Sequence, residues 1–316
     1  MKKKIKYSII LPVFNEEKSL EKLTQRLVKV LNNLKDDYEI IFIDDGSFDG
    51  SLAVIKKIIH KNPKVKVISF RKNFGKSTAL ICGFHFSLGE IIFTMDADLQ
   101  DQPEDIPLFL KKFKQGYDSV SGWKKHRYDP IDKVVVSRIF NSLATKLTGV
   151  KIHDFNCGFK AYKRESIKDL ELYGDLYRFI PALISWQGFK VGEVKVNHHR
   201  RLHGKSKFGQ SRLIRGIFDL FTTVFILRFL KRPLHFFGFL GLIFFLLGFL
   251  VSLYLTIIWF GGEPIGHRPL LILGILLIVV GFQFICTGLL GEMIAYFQNK
   301  SEKEKVFPIA KKIGTF

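Results

Sequence analysis

The sequence predicts an α/β domain with a mostly parallel sheet, followed by an amphipathic helix and two membrane-spanning helices. Three observations carry this reading. Short apolar runs alternate with helix-patterned segments through the first hundred residues. Each of four such runs ends in a polar cluster. Two long stretches near the carboxy terminus hold no Asp, Glu, Lys or Arg.

The first run, Tyr7 to Phe14, reads as a buried strand. Glu17 to Leu34 follows with Leu20, Leu23, Leu27, Val30, Leu31 and Leu34 at the three-to-four spacing of one helix face. Glu39 to Ile43, Val65 to Phe70 and Glu90 to Met95 are further strands, with helices expected at Ser51 to Ile59 and Ser77 to Ser87. Strands alternating with helices at this pitch form a parallel sheet covered on both faces. The pattern then loosens. Strands are expected near Ser119 to Gly122, Phe159 to Tyr162 and Val191 to Asn197, and helices at Lys133 to Leu147 and Leu176 to Gln187.

From Leu234 to Gly262, and again from Pro269 to Gly291, there is no charged residue. Each run exceeds the roughly 20 apolar residues that cross a bilayer. Gln210 to Leu230, apolar on one side and carrying Arg212, Arg215 and Arg228, is expected to lie on the membrane surface. The expected organisation is a catalytic domain over 1–208, a juxtamembrane helix over 209–232, a two-helix anchor over 233–297 and a basic tail over 298–316. Two spans return the chain to the side it left, and Lys and Arg flanking both ends mark that side as the cytoplasm. Met1 to Lys6 is basic but lacks the apolar core and small-residue cleavage site of a signal peptide. The expected location is therefore the inner (plasma) membrane, with the catalytic domain cytoplasmic.

The formal net charge is +20. Seven Lys or Arg and no acid lie from Lys195 to Arg215, and Arg228, Lys231 and Arg232 follow just before the first span. That placement favours anionic membrane lipids over nucleic acid as the partner. A two-span anchor this short can also pack against copies of itself. Cys82, Cys157 and Cys286 have neither metal-ligand nor redox spacing and read as packing residues.

In open α/β sheets, ligands bind at the carboxyl ends of the strands. Asn15-Glu16, Asp44-Asp45-Gly46-Ser47, Arg71-Lys72-Asn73 and Asp96-Ala97-Asp98 all fall there. Alternate residues of an extended chain point the same way, so Asp96, Asp98 and Gln100 are expected to converge on one hard cation, Mg2+ or Mn2+. Asn73 to Ser77 imitates the end of a phosphate-binding loop, but Phe70 stands where its first glycine belongs, which argues against an NTPase.

Five motifs in order then resemble a known family. Pro12-Val13-Phe14-Asn15-Glu16, Asp44 to Gly50 and Asp96-Ala97-Asp98-Leu99-Gln100 look like the nucleotide-binding motifs of family-two inverting glycosyltransferases with the GT-A fold. Asp154 to Phe159 and Arg201 to Lys207 resemble the branch that uses polyprenyl phosphate, including the bactoprenol glucosyltransferases and dolichyl-phosphate mannose synthase. The resemblance implies that Pro12, Phe14, Glu16 and Asp44 hold the base and ribose, and that Asp96, Ala97 and Asp98 hold the metal and diphosphate. Asp98 and Asp154 would be the catalytic carboxylates, and Arg201 and Lys207 would hold phosphates. Where relatives often carry Gly-x-Arg, this chain has Gly122-Trp123-Lys124. Lysine offers a point charge rather than a fork, so Lys124, counted with Arg201 and Lys207 in the nucleotide-sugar site, is expected to be helped by Arg127 or Arg138. Arg127, Arg138, Arg201 and Ser206 are the candidates for the acceptor phosphate.

A phosphate monoester, largely ionised at neutral pH, attacks an anomeric carbon without a base to deprotonate it. The expected activity is hexose transfer from a nucleotide-sugar, UDP-glucose or a related UDP-sugar, to undecaprenyl or a similar polyprenyl phosphate. A GDP-mannose-dependent enzyme and a non-catalytic basic membrane adaptor are the alternatives. The adaptor would leave the acidic clusters at the strand ends without a purpose.

Overall fold

The computed structural model describes residues 5–124, 141–168, 176–197, 232–266, 268–298 and 309–314, with a few isolated positions between them. By contacts the chain divides into two units. One holds Met1–Leu220 with Val306–Phe316, and the other holds Phe221–Lys305.

In the first unit, β1 (Tyr7–Val13), β2 (Tyr38–Asp44), β3 (Val65–Phe70) and β4 (Ile91–Thr94) are parallel neighbours, with β1 between β2 and β4. They are joined by α1 (Glu17–Asn33), α2 (Ser51–Lys61) and α3 (Lys76–Phe86). Beyond β4 the sheet becomes mixed. β5 (Ser119–Trp123) and β7 (Val191–Lys195) are parallel to each other, while β6 (Lys160–Lys163) runs antiparallel between β4 and β5. With a last strand, β8 (Ile309–Ile313), the full order is β7-β5-β6-β4-β1-β2-β3-β8.

Alternation along the central strands feeds two cores. Ile9, Leu11 and Val13 of β1 meet Leu20, Leu23, Leu27 and Leu31 of α1 on one face. Ile10 meets Leu80 of α3 and Ile180 and Ile184 of α5 (Ile180–Trp186) on the other. Those four α1 leucines are fully buried, each contributing on the order of 1.5–3 kcal/mol relative to exposure. A further helix, α4 (Ile106–Lys114), has no counterpart among the sequence-based expectations. Pro107 in its first turn, together with its brevity, masks the helical period, yet Phe109 packs its ring 4.4 Å from that of Phe159. The segment expected as one helix from Leu176 opens instead with a 3-10 turn, Leu176–Phe179, before α5. Of the helix expected over 133–147, residues 141–148 are helical and the preceding positions lie outside the described residues. So does most of the expected juxtamembrane helix.

At the amino-terminal edge of the sheet sits a buried ionic cluster. The Glu39 carboxylate receives Lys66 Nζ at 2.6 Å, the Ser8 hydroxyl at 2.5 Å and the Leu88 amide at 2.5 Å. Ser8 in turn accepts the Gly89 amide at 2.7 Å. Glu39, Lys66 and Ser8 are all buried, so the charges depend on one another rather than on water.

The carboxy-terminal residues are not all bare tail. Ile309–Ile313 form β8, antiparallel to β3 at the sheet edge. A register irregularity at Ser69/Phe70 sends Ile309 toward one core and Ile313 toward the other. Two central lysines made this stretch read as solvated tail. They are instead exposed on opposite sides of the edge strand, where charge discourages further pairing, and Lys312 Nζ sits 4.2 Å above the Phe86 ring.

The second unit is a helical hairpin of α6 (Pro233–Phe260) and α7 (Pro269–Gln298), both long and apolar enough to cross a membrane. Glycines seven residues apart bring the backbones together. A Cβ on Gly241 would strike the Gly281 carbonyl at 2.6 Å, and one on Gly248 the Gly274 carbonyl at 2.7 Å. Close approach through small residues is how helices associate where lipid supplies no hydrophobic driving force. Glu292 of α7 accepts the Leu234 amide at 3.3 Å, satisfying one of the free donors at the start of α6.

Candidate active site

The carboxyl ends of β1, β2 and β4 carry the three front motifs, and the loops between them are latched together. Asn15 adopts a left-handed φ of 56°, accepts the Phe48 amide at 3.0 Å, and donates its own amide to the Ser47 hydroxyl at 3.0 Å. The Glu16 amide donates to Ser51 Oγ at 2.9 Å. Phe14 packs edge to face on Phe48, centroids 5.7 Å apart, and Phe48 is 84 % exposed beside it. Pro12 lies in β1 opposite Ile43. Asp44 is buried, and its two oxygens receive the Ser47 amide and the Ser69 hydroxyl at 3.0 and 2.7 Å. Its first task is to shape the turn at the end of β2.

Asp45, absent from the sequence-derived candidates, holds the next loop. Its oxygens accept the Phe74 and Gly75 amides at 2.7 and 2.9 Å. These are the donors a phosphate-binding loop would offer, so an internal carboxylate occupies them. Burial raises the Asp45 pKa above the ordinary value, and the two amides partly oppose this. Gly75, at φ 90°, then turns the chain into α3 and delivers Lys76 to the Asp96 carboxylate, with which it pairs. Burial opposes ionisation of Asp96, but Lys76 and then Lys124 outweigh it and hold the carboxyl below the usual range.

The extended alternation expected at Asp96, Asp98 and Gln100 is not what forms. Leu99 takes φ 64°, the chain bends, and the Gln100 amide folds back onto Asp98 Oδ1 at 3.1 Å. Asp96 and Asp98 stay half-exposed at the edge, while Ala97 between them is buried. A Cβ on Gly158 would collide with the Asp96 carboxylate, so the glycine of the Asp154 motif is what brings that loop against the β4 end.

Lys124 does not reach outward as a free cation. It is largely buried, with Nζ 2.8 Å from Asp101, whose carboxylate is fully buried. Desolvation would lower the Lys124 pKa, and Asp101 more than reverses that. Asp154 is buried, with Oδ1 accepting the Asn156 amide at 3.0 Å. Cys157 and Cys82 are buried thiols, both pushed up to about 12 by burial, which keeps them protonated and suits packing. Arg127, Arg138, Arg201, Ser206 and Lys207 lie outside the described residues.

Among the described residues no group of three or more His, Cys, Asp or Glu could hold a metal by itself. The donors present are hard oxygens, the Asp96 and Asp98 carboxylates, with Asp96 paired to Lys76. Such a set suits Mg2+ or Mn2+, which take remaining ligands from water and phosphate. Both carboxylates are half-exposed, and the Asp154 loop packs directly on Asp96 through Gly158. Two half-exposed carboxylates are a set that fits a divalent ion supplied with water and phosphate as its other ligands.

Residues 8–171 match the family described as glycosyl transferase family 2. The chain belongs to that family. A dodecaprenyl-phosphate galacturonate synthase of Rhizobium johnstonii is 38 % identical over 92 % of this chain and 88 % of its own length. An undecaprenyl-phosphate 4-deoxy-4-formamido-L-arabinose transferase of Proteus mirabilis is 31 % identical over 98 % of this chain and 94 % of its own. Among solved structures, glucosyl-3-phosphoglycerate synthase of Mycobacterium tuberculosis, in complex with Mn2+, UDP-glucose and phosphoglyceric acid, superposes with TM-score 0.53 at 19 % identity, covering 70 % of this chain and 80 % of that one. That likeness is one of fold. The family-2 glycosyltransferase described here thus has a mixed GT-A sheet followed by two apolar helices.

Proposed function

We propose that this glycosyltransferase moves a sugar from a UDP-sugar to a polyprenyl phosphate at the cytoplasmic face of the plasma membrane. The observation that carries the reading is the convergence of Asp96, Asp98 and the Asp154 loop at one end of the sheet, where Lys76, Lys124, Lys160 and Arg178 fix the carboxylates and the loop in place. Such an end, with a divalent ion on its two half-exposed carboxylates, can manage a departing diphosphate. Relatives named for polyprenyl-phosphate sugar transfer, similar over nearly the whole chain, support the lipid acceptor.

In this reading Pro12, Phe14, Glu16 and Asp44 bind the nucleoside. An acceptor phosphate oxygen bonds to the anomeric carbon as the bond to the nucleoside diphosphate breaks, inverting that centre. No proton has to be removed, so Asp154 orients the acceptor rather than serving as a base. A divalent ion held by Asp96 and Asp98 would neutralise the departing diphosphate. Arg127, Arg138, Arg201 and Ser206 are assigned to the acceptor phosphate, and Lys207 to the donor. Because β1 and β8 share one sheet, the residues before and after the two helices lie on one side of any membrane that both cross.

Membranes carrying the full chain, given polyprenyl phosphate, Mg2+ and a panel of radiolabelled UDP-glucose, UDP-galacturonate and UDP-4-deoxy-4-formamido-L-arabinose, are expected to move label into the organic phase with one donor. Label that stays water-soluble with every donor overturns the reading.

A further inference from the structure

The loop that presents Asp154 is gripped by two cations that the sequence did not single out. Lys160, the first residue of β6, is 3 % exposed, and its Nζ donates to the Phe155 carbonyl at 3.0 Å. Arg178, in the 3-10 turn before α5, is also 3 % exposed and donates to Asn156 Oδ1 at 3.0 Å. Thr94 Oγ1 adds a bond to the Gly158 carbonyl at 3.1 Å. The backbone of Lys160 is fixed between Thr94 of β4 and Ser121 of β5, so the ammonium cannot retreat to water.

We propose that Lys160 is a positioning residue for the transfer reaction: its charge, through the Phe155 carbonyl, holds the loop that aims Asp154 at the acceptor. The proposal rests on the function given above. Two alternatives of lower reach are a lysine that merely packs and one that only neutralises Asp154. The geometry speaks against the first, since an ammonium placed among strands costs stability unless its charge is used. It speaks against the second, since the bond runs to a backbone carbonyl of the loop and not to a carboxylate.

The surroundings make the charge conditional. Burial depresses the Lys160 ammonium to about 8, with the charges of Asp154 and Asp96 opposing the fall and that of Lys76 of α3 reinforcing it. Arg178 approaches the same loop from the 3-10 turn. The sign follows directly. The unfolded chain binds this proton up to a pH near 10.5 and the folded chain only to about 8. Between those values, rising pH therefore makes the Lys160 contribution to folding more favourable, while it removes the charge that grips the loop. A lysine with only a structural role would lose nothing functional over that window.

The test compares full-length wild type, Lys160→Arg and Lys160→Met in lipid-phosphate membranes, measuring kcat, KM for the nucleotide-sugar and thermal unfolding from about pH 6 to about pH 10, a range that brackets the Lys160 titration. Wild-type kcat is expected to fall through about pH 8 without loss of thermal stability. Lys160→Arg should hold its plateau to higher pH. Lys160→Met should lose tenfold or more in kcat, with KM changed less than about twofold and the pH dependence flattened. Wild-type kcat in Lys160→Met overturns the proposal, and so does a Lys160→Arg profile that falls at the wild-type pH. Should Lys160→Met not fold, the Lys160→Arg comparison decides alone. A wild type that glycosylates no lipid would instead overturn the underlying function.

Discussion

Replacing Asp98 with asparagine is expected to cut sugar transfer at least a hundredfold, about 2.7 kcal/mol of transition-state stabilisation, with thermal unfolding unchanged. The substitution is nearly isosteric. The new side-chain amide would keep an oxygen to accept the Gln100 backbone N–H, so the bend set by Leu99 survives. What it loses is the negative charge beside Asp96, and with it one of two carboxylates able to hold a divalent ion as the diphosphate departs. Mn2+-dependent tightening of UDP binding, followed by calorimetry, should vanish together with turnover. Normal turnover in the variant at saturating Mg2+ would remove Asp98 from the metal assignment.

Glu39→Ala carries the largest expected effect on stability, a loss of about 3–5 kcal/mol, because it strands a buried cation. Lys66 would keep its place in the sheet without its carboxylate partner, and the Leu88 amide would lose its acceptor. For a domain of this size that corresponds to a melting temperature lower by roughly 10 °C, read by circular dichroism of the detergent-solubilised chain. Removing both charges, as Glu39→Met with Lys66→Met, should recover much of the loss, since burying apolar groups there carries no unpaired charge. A double variant no more stable than the single one would show that the pair is not the origin of the effect.

The front half of the fold was legible because each signal was local. The leucines of α1 declare a helix within seventeen residues, and the acidic turns follow directly on their strands. The missed features depend on partners far away in the chain. Nothing near Lys124 announces Asp101, nothing near Lys76 announces Asp96, and nothing near Lys160 hints that its amine turns to a carbonyl five residues back. Basic residues in the sequence read as solvent-facing or phosphate-facing, whereas three of them are internal counter-charges or props. The alternation argument for Gln100 failed for a related reason: one left-handed residue, Leu99, ends the strand period, and leucine gives no warning of it. The coincidence of glycine with the Asp96 carboxylate at Gly158 was equally invisible, although the motif containing it was recognised.

The edge strand β8 makes the catalytic sheet a structure finished out of order. During synthesis β3 emerges early, and about 240 residues follow before its partner Ile309–Ile313 leaves the ribosome, an interval of tens of seconds at roughly 5–20 residues per second. Through that interval both apolar helices are made while the backbone donors and acceptors of Val67 and Ser69 stay open to any strand that comes by. For the membrane-anchored enzyme proposed above, insertion is thus a step inside domain folding rather than a sequel to it. The same logic governs soluble versions of the enzyme. A chain ended before Leu234 sheds the hydrophobic hairpin but also leaves β3 as a bare edge, and is expected to aggregate. One that joins residue 220 to residue 306 through a short flexible linker restores β8, and should remain monomeric while still binding the nucleotide-sugar, which size-exclusion chromatography with a UDP titration would show.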